Sequence, residues 1–190
     1  MGGCDGPLGG ATAAQDHAQA PRANGVSIAA IRAYESRDLE ACRRLWEELT
    51  EWHRELYGRP EISGPGSDAY LERVGAENVW VAESDGSIAG LAGLIVDGSR
   101  GEIEPVVVAA GHRGRGIGRA LVEAVVAEAR RRGLRQLKVR PVARNEAALA
   151  FFRRSGFDVL GHVHLLLDLV PRERGDWREG ERLAGVRFRV

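Results

Sequence analysis

Residues Gly111–Gly133 read "GHRGRGIGRALVEAVVAEARRRG". Gly114, Gly116 and Gly118 stand at every second position and run straight into a segment with Leu121, Val122, Val125, Val126 and Ala129 at helical spacing. That segment predicts an amphipathic helix closed by Gly133. Glycine is a poor helix former, so its use where a helix must begin needs another reason. A Gly-rich turn between strand and helix suits an anion. The first N–H groups lack helical acceptors, the helix dipole favours negative charge, and a backbone without Cβ atoms lets phosphate oxygens come close. Arg113, Arg115 and Arg119 add positive charge around the turn. The competing reading is a tight turn with solvated arginines.

Spacing narrows the phosphate ligand. A dinucleotide site needs G-x-G-x-x-G, but after Gly114 and Gly116 the third position is Arg119. "LRQLKVRPV" also lacks an acid at its end to serve as a ribose partner. An NTP-binding loop ends in Gly-Lys-Ser/Thr, and Lys138 is the only lysine in the chain. Both fail.

Outward from the turn, strand and helix signals alternate. Val26–Ala33 predicts a first strand, and 36–58 a helix capped by Ser36 or Asp38, with Leu39, Cys42, Leu45, Trp46, Leu49 and Trp52 at helical spacing. Glycines and prolines over 58–66 predict a loop, followed by a short helix around Asp68–Val74. Val79–Glu83 and Ile88–Val96 predict a hairpin turning at Asp85-Gly86. "GEIEPVVVA" is the strand that feeds the glycine turn, "LRQLKVRPV" a further strand, "NEAALAFFRRSG" a helix closed by Gly156, and "HVHLLLDLV" a late strand. The order predicts an α/β domain over 26–170. Residues 1–25 carry Gly, Ala, Pro and polar types without period and read as a disordered leader. Residues 171–190 read as a C-terminal extension, either a frayed tail or an added strand at Gly185–Val190 that would offer a homodimer contact.

Composition excludes several partners. The 190 residues carry 27 Lys and Arg against 27 Asp and Glu, so no net charge favours nucleic acid or an anionic membrane. No apolar run spans a bilayer, and "MGGCDGPLGG" lacks a signal-peptide pattern, so a cytoplasmic protein is expected. The two cysteines, Cys4 and Cys42, form no disulfide framework. His162 and His164 alternate along the late strand with no further His or Cys beside them, so no metal site is expected.

Arg113-Gly114-Arg115-Gly116-Ile117-Gly118 fits R-x-x-G-x-G and resembles the pyrophosphate loop of the GNAT superfamily of acyl-CoA-dependent N-acyltransferases. The resemblance runs in order along roughly 26–170. "IRAYESRDLEACRRLW" is similar to the family's opening strand and helix, and "WVAESDGSIAGLAGL" to its hairpin. "IEPVVVAAGHRGRGIGRALVEA" is similar to the cofactor strand, loop and helix, although Ala110 replaces a frequent proline. "NEAALAFFRRSGFDVLG" is similar to the second cofactor element. The resemblance implies a GNAT fold: a central mixed, mostly antiparallel sheet of about seven strands, helices on both faces, and a splayed cofactor cleft. It implies acetyl-CoA as co-substrate, without a metal. It places the pyrophosphate on the backbone of Arg113, Gly114, Arg115, Gly116, Ile117, Gly118 and Arg119. It places the pantetheine arm along Val106, Val107 and Val108, with Asn145, Ala148 and Phe152 on the other wall. Read without it, Asn145 is a helix cap and Ala148 core packing.

One position departs from the family. A tyrosine that protonates the departing thiolate commonly follows the asparagine by seven residues, and that position here is Phe152. A thiol of pKa about 8.5 leaves at pH 7 at a cost of roughly 2 kcal/mol, whereas a lysine-like amine of pKa about 10.4 must first lose a proton at roughly 4.6 kcal/mol. For such an amine a base therefore matters more than an acid, whereas for an α-amine of pKa about 7.8 the gap shrinks to roughly 1 kcal/mol and even the base is optional. Glu102 and Glu104 precede Val106 and Val108 with period two, so a regular strand puts all four on one face. Glu104 is the favoured base, being nearer the expected thioester; solvated acids at a strand start are the alternative. His53 and Tyr57 stand four apart on a helix and share a face. They read as acceptor-binding residues, with Tyr57 a substitute acid, or as partly buried packing. The expected activity is acetyl transfer to a primary amine, on a small molecule or a peptide, by direct attack on the thioester. A non-catalytic CoA-binding module is the rival.

Overall fold

The computed structural model describes residues 30–57, 66–167 and 179–190. The expected leader, residues 26–29 of the first strand, the loop over 58–65 and residues 168–178 lie outside the described residues. Strands β1 (Ala30–Ala33), β2 (Val79–Ser84), β3 (Ser87–Asp97), β4 (Arg100–Val108) and β5 (Gln136–Lys138) form one sheet in chain order. Pairing is antiparallel except for β4 with β5, which is parallel. Helices α1 (Leu39–Tyr57) and α2 (Ser67–Val74) lie on one face, and α3 (Ile117–Arg131) and α4 (Glu146–Arg154) on the other. Among the described residues no helix is long and apolar enough to cross a membrane.

Period-two alternation sorts the sheet between these faces. Trp80, Ala82, Ala92 and Leu94 meet Leu121, Val122, Val125 and Ala129 of α3. Val81, Leu91 and Val107 meet Cys42 and Leu45 of α1, while Val79 meets Tyr70 and Val74 of α2. The entry to α1 is held by neither Ser36 nor Asp38 alone. Glu35 and Asp38 cap a short 3-10 turn reciprocally, and the buried Asp38 carboxylate accepts from Arg32 at 2.7 and 2.8 Å and from the Glu35 N–H at 2.8 Å.

Three expectations change. Among the described residues the sheet has five strands, and the C-terminal strands β6 (Glu179–Leu183) and β7 (Val186–Arg189) pair with each other in a separate two-stranded sheet. The strand expected over 134–142 shrinks to Gln136–Lys138, because Pro141 offers no ladder donor and β4 diverges beyond Glu102. No strand forms over 161–167, where Val163 and Leu165–Leu167 are exposed. A three-residue β5 presents too short an edge for that stretch to pair along.

The decisive irregularity lies in β4. Ala92 faces Val106 and Leu94 faces Ile103, so two steps on β3 match three on β4, a bulge at Glu104–Pro105. The Tyr70 hydroxyl donates to the Glu104 carbonyl there, directly above Gly93. A Cβ at position 93 would overlap that hydroxyl and stand 2.8 Å from the Glu104 oxygen. Gly93→Ala should lower unfolding stability by about 1–3 kcal/mol in urea denaturation. Tyr70→Phe in the same chain should recover part of the loss, and a Gly93→Ala protein as stable as the parent would show that this contact is loose.

Candidate functional site

The site grows from the place where β4 loses its outer neighbour. Parallel pairing joins Arg100, Gly101 and Glu102 to Gln136, Leu137 and Lys138, then stops. On its inner side β4 remains paired to β3 up to Val108. The Ala109 N–H donates to the Ala89 carbonyl at 2.9 Å, and Gly90 faces Val108. Antiparallel alternation then directs the main-chain groups of Val107 toward β3 and those of Val106 and Val108 toward the open edge. This is a strand position with no strand partner, whose Val108 carbonyl accepts from Arg113 Nε at 3.0 Å.

The glycine turn ends that edge. Gly114 has φ +76° and Gly116 +83°, conformations that L residues rarely adopt, and added Cβ atoms there would meet nothing within 4 Å. Gly118 differs: it is already helical, and a Cβ would make ordinary contact with Phe151 and Val108 at 3.5–3.6 Å. The first helical bond of α3 runs from the Ala120 N–H to the Gly116 carbonyl at 3.0 Å. The N–H groups of Ile117, Gly118 and Arg119 therefore have no helical acceptor, and no side chain caps them. Open space, free donors and two turn glycines fit a diphosphate. Arg115 is exposed, while Arg119 is paired with Glu123 at 2.7 Å.

On the opposite wall, Asn145 caps α4: its Oδ1 accepts the Ala148 N–H at 2.9 Å, which joins the two predicted wall residues. Phe152 packs edge-on between Phe151 and Phe157, with centroids 5.0 and 5.7 Å away.

The bulge corrects the reading of four residues on one face. Val106 and Val108 pack with Ile103 toward α3, whereas Val107 packs toward α1. Glu102 and Glu104 stay together but on the α2 side, because the extra residue shifts the parity between them and the valines. Arg140 joins them: its Nε donates to Glu102 Oε1, and its Nη2 to Glu104 Oε2 at 3.2 Å. Arg73 of α2 donates to Glu104 Oε1 at 3.1 Å, and Lys138 lies 3.1 Å from Glu102 Oε2. The two acids have different settings. Glu102 is 6% exposed, and burial alone would raise its pKa, yet Arg140 and Lys138 outweigh burial and hold it below the usual carboxylate range. Glu104 is more open, with its side chain 37% exposed.

From α1, His53 is half-buried, and burial lowers its pKa, favouring the neutral ring. Tyr57 ends α1, but its side chain lies outside the described residues. The neighbouring Leu56 carbonyl accepts from Arg144 Nη1 at 3.5 Å, tying the end of α1 to the segment before α4.

A family model described as the acetyltransferase (GNAT) family matches residues 13–157. The chain belongs to that family. Streptothricin acetyltransferase of Streptomyces lavendulae is 39% identical over 80 residues, which cover 41% of this chain and 42% of that protein. Two solved structures share the GNAT fold. N-acetylglutamate synthase from Neisseria gonorrhoeae, complexed with coenzyme A and N-acetyl-glutamate, has a TM-score of 0.55 and 24% identity over 67% of this chain and 28% of its own. Rv2747 from Mycobacterium tuberculosis, in complex with CoA, has a TM-score of 0.52 and 27% identity over 67% of this chain and 70% of its own. The chain thus spans less than half the length of the first two.

Within this cluster, sequence reasoning missed Tyr70, Arg73 and Arg140, and on the loop side Glu48 and Trp52. Pro105 was the available signal for the bulge, since proline inside a sheet is confined to edges and bulges. Nothing local indicates that Arg73 and Arg140 reach Glu104 across 31 and 36 residues.

A depressed Glu102 pKa means the folded state binds fewer protons than the unfolded chain. Its contribution is complete above the unfolded carboxylate range and is lost as pH falls through the folded value. Glu102→Gln should cost roughly 2 kcal/mol at neutral pH. The gap to the parent should close as pH drops below the carboxylate range; a gap constant with pH would show that Glu102 is not held ionised.

Proposed function

We propose that the chain transfers an acetyl group from acetyl-CoA to a primary amine by direct attack of the amine on the thioester. The observation that carries this is the unfilled strand position beside Val106 and Val108, ending at a turn of positive-φ glycines and free helix N–H groups. An extended arm bearing amides suits the first part, and a diphosphate the second. Acetyl-CoA joins both in one molecule and, when bound, supplies the activated acyl group.

The chain's own residues then have separate tasks. Val106 and Val108 align the arm, and the Val108 N–H polarises the acyl oxygen. Arg113–Arg119 hold the diphosphate through backbone N–H groups. Asn145, through its cap of Ala148, and Phe152 form the facing wall. Glu104, half-open at the bulge and steadied by Arg73 and Arg140, takes the proton from the incoming ammonium. Glu102 anchors Arg140. Tyr70 is a poor acid candidate because it is buried and its hydroxyl is committed to the Glu104 carbonyl. We assign proton return to Tyr57, since Arg144 holds the last turn of α1 near α4. His53 lines the acceptor side. An acyl-cysteine step is not invoked: Cys42 is buried, and burial pushes its thiol up to about 12.

A second reading, a GNAT module that binds CoA without turnover, is favoured by Phe152, whose apolar packing replaces a hydroxyl. Thiol release with a panel of amines separates the two. Glu104→Gln should lower kcat at least about tenfold with the acetyl-CoA KM unchanged. Undiminished turnover would remove Glu104 as the base, and CoA binding with no thiol release for any amine would favour the module.

A further inference from the structure

Arg113 opens the phosphate-binding loop, yet its side chain is turned onto β4 and α1. Its Nε donates to the Val108 carbonyl at 3.0 Å, and its Nη2 to Glu48 Oε1 at 2.9 Å. The guanidinium carbon lies 5.6 Å from the centre of the Trp52 ring. The same Glu48 oxygen accepts the Ala110 N–H at 2.7 Å. Glu48 and Trp52 are one turn apart on α1, so a single helix face grips both the entry of the loop and its first arginine.

The place of this grip matters. The Val108 carbonyl belongs to the open β4 edge, so the Arg113 guanidinium covers that edge where a strand-like arm would pair. Its charge is also directed to Glu48 rather than to the turn. We propose that Arg113 is a two-position residue, latched by Glu48, Val108 and Trp52 until CoA seats and then released toward the diphosphate. Glu48 is then a positioning residue that sets the apparent affinity for the cofactor. This rests on the reading of the β4 edge as the CoA site. The latch suits such a role because it is weak: the Arg113 and Glu48 side chains are 45% and 35% exposed, and ion pairs this open are readily exchanged. It also connects α1, which carries His53 and Tyr57, to the cofactor.

The test uses the full chain and CoA alone, with calorimetry and tryptophan emission. Glu48→Gln keeps an oxygen for the Ala110 N–H but loses the charge that holds Arg113. It should bind CoA about twofold to fivefold tighter than the parent, the range that a half-exposed ion pair allows. CoA should change the emission of the parent, and that change should be absent from Trp52→Phe, which still binds CoA in the calorimeter. Equal or weaker CoA binding by Glu48→Gln would overturn the latch and leave Glu48 as a scaffold of the loop. An identical emission change in the parent and Trp52→Phe would also overturn it. A parent that takes up no CoA would refute the acetyltransferase reading itself, and the latch with it.

Discussion

β4 keeps its outer neighbour for three residues only. Parallel pairing with β5 ends at Glu102, while pairing with β3 continues to Val108. A sheet cannot leave a row of donors and acceptors unpaired near its centre without cost, so that edge must meet water, a side chain or a ligand. In this chain one of its acceptors meets Arg113. The features to which we assign the chemistry lie along the resulting gap. The glycine turn closes one end, Arg140 and the two glutamates stand at the other, and α4 follows from the strand that diverged.

The bulge at Glu104–Pro105 divides the tasks within β4. Above it, the valines face α3, and their main-chain groups meet the gap; below it, the glutamates face the α2 side. One extra residue thus separates a segment suited to holding an extended ligand from a segment suited to moving a proton. Tyr70 and Gly93 fix this arrangement, because the hydroxyl that bonds the Glu104 carbonyl needs the space that a side chain at position 93 would fill. The guanidinium groups of Arg73 and Arg140 each donate to one oxygen of Glu104, which keeps its carboxylate oriented.

How much of this was legible in the sequence depends on how local each cause is. Gly114 and Gly116 were legible because their requirement, a positive φ, is a property of the residue itself. Gly118 was read with them, yet it sits inside the helix, where its Cβ would make only ordinary contacts. Helix periodicity placed α1 and α3 because Cys42, Leu45, Leu121 and Val125 mark their buried faces. The parity of Glu102 and Glu104 with the valines was misread, because alternation assumes a regular strand and the bulge inserts a residue. Pro105 carried the warning. The strand expected over 162–170 failed where described, because its apolar residues give a propensity but no partner edge. Arg140, Arg73 and Glu48 reach their partners across dozens of residues, and only the assembled sheet brings them there.

The central claim is that the open β4 edge and the glycine turn form one continuous CoA site. Amide chemical shifts of the full chain, followed by NMR during titration with CoA, test it most directly. The account predicts the largest shifts at Val106, Val108 and the amides of Arg113–Arg119, moving together with one dissociation constant. Shifts confined to the β6–β7 hairpin or to α2, with these amides unmoved, would contradict it.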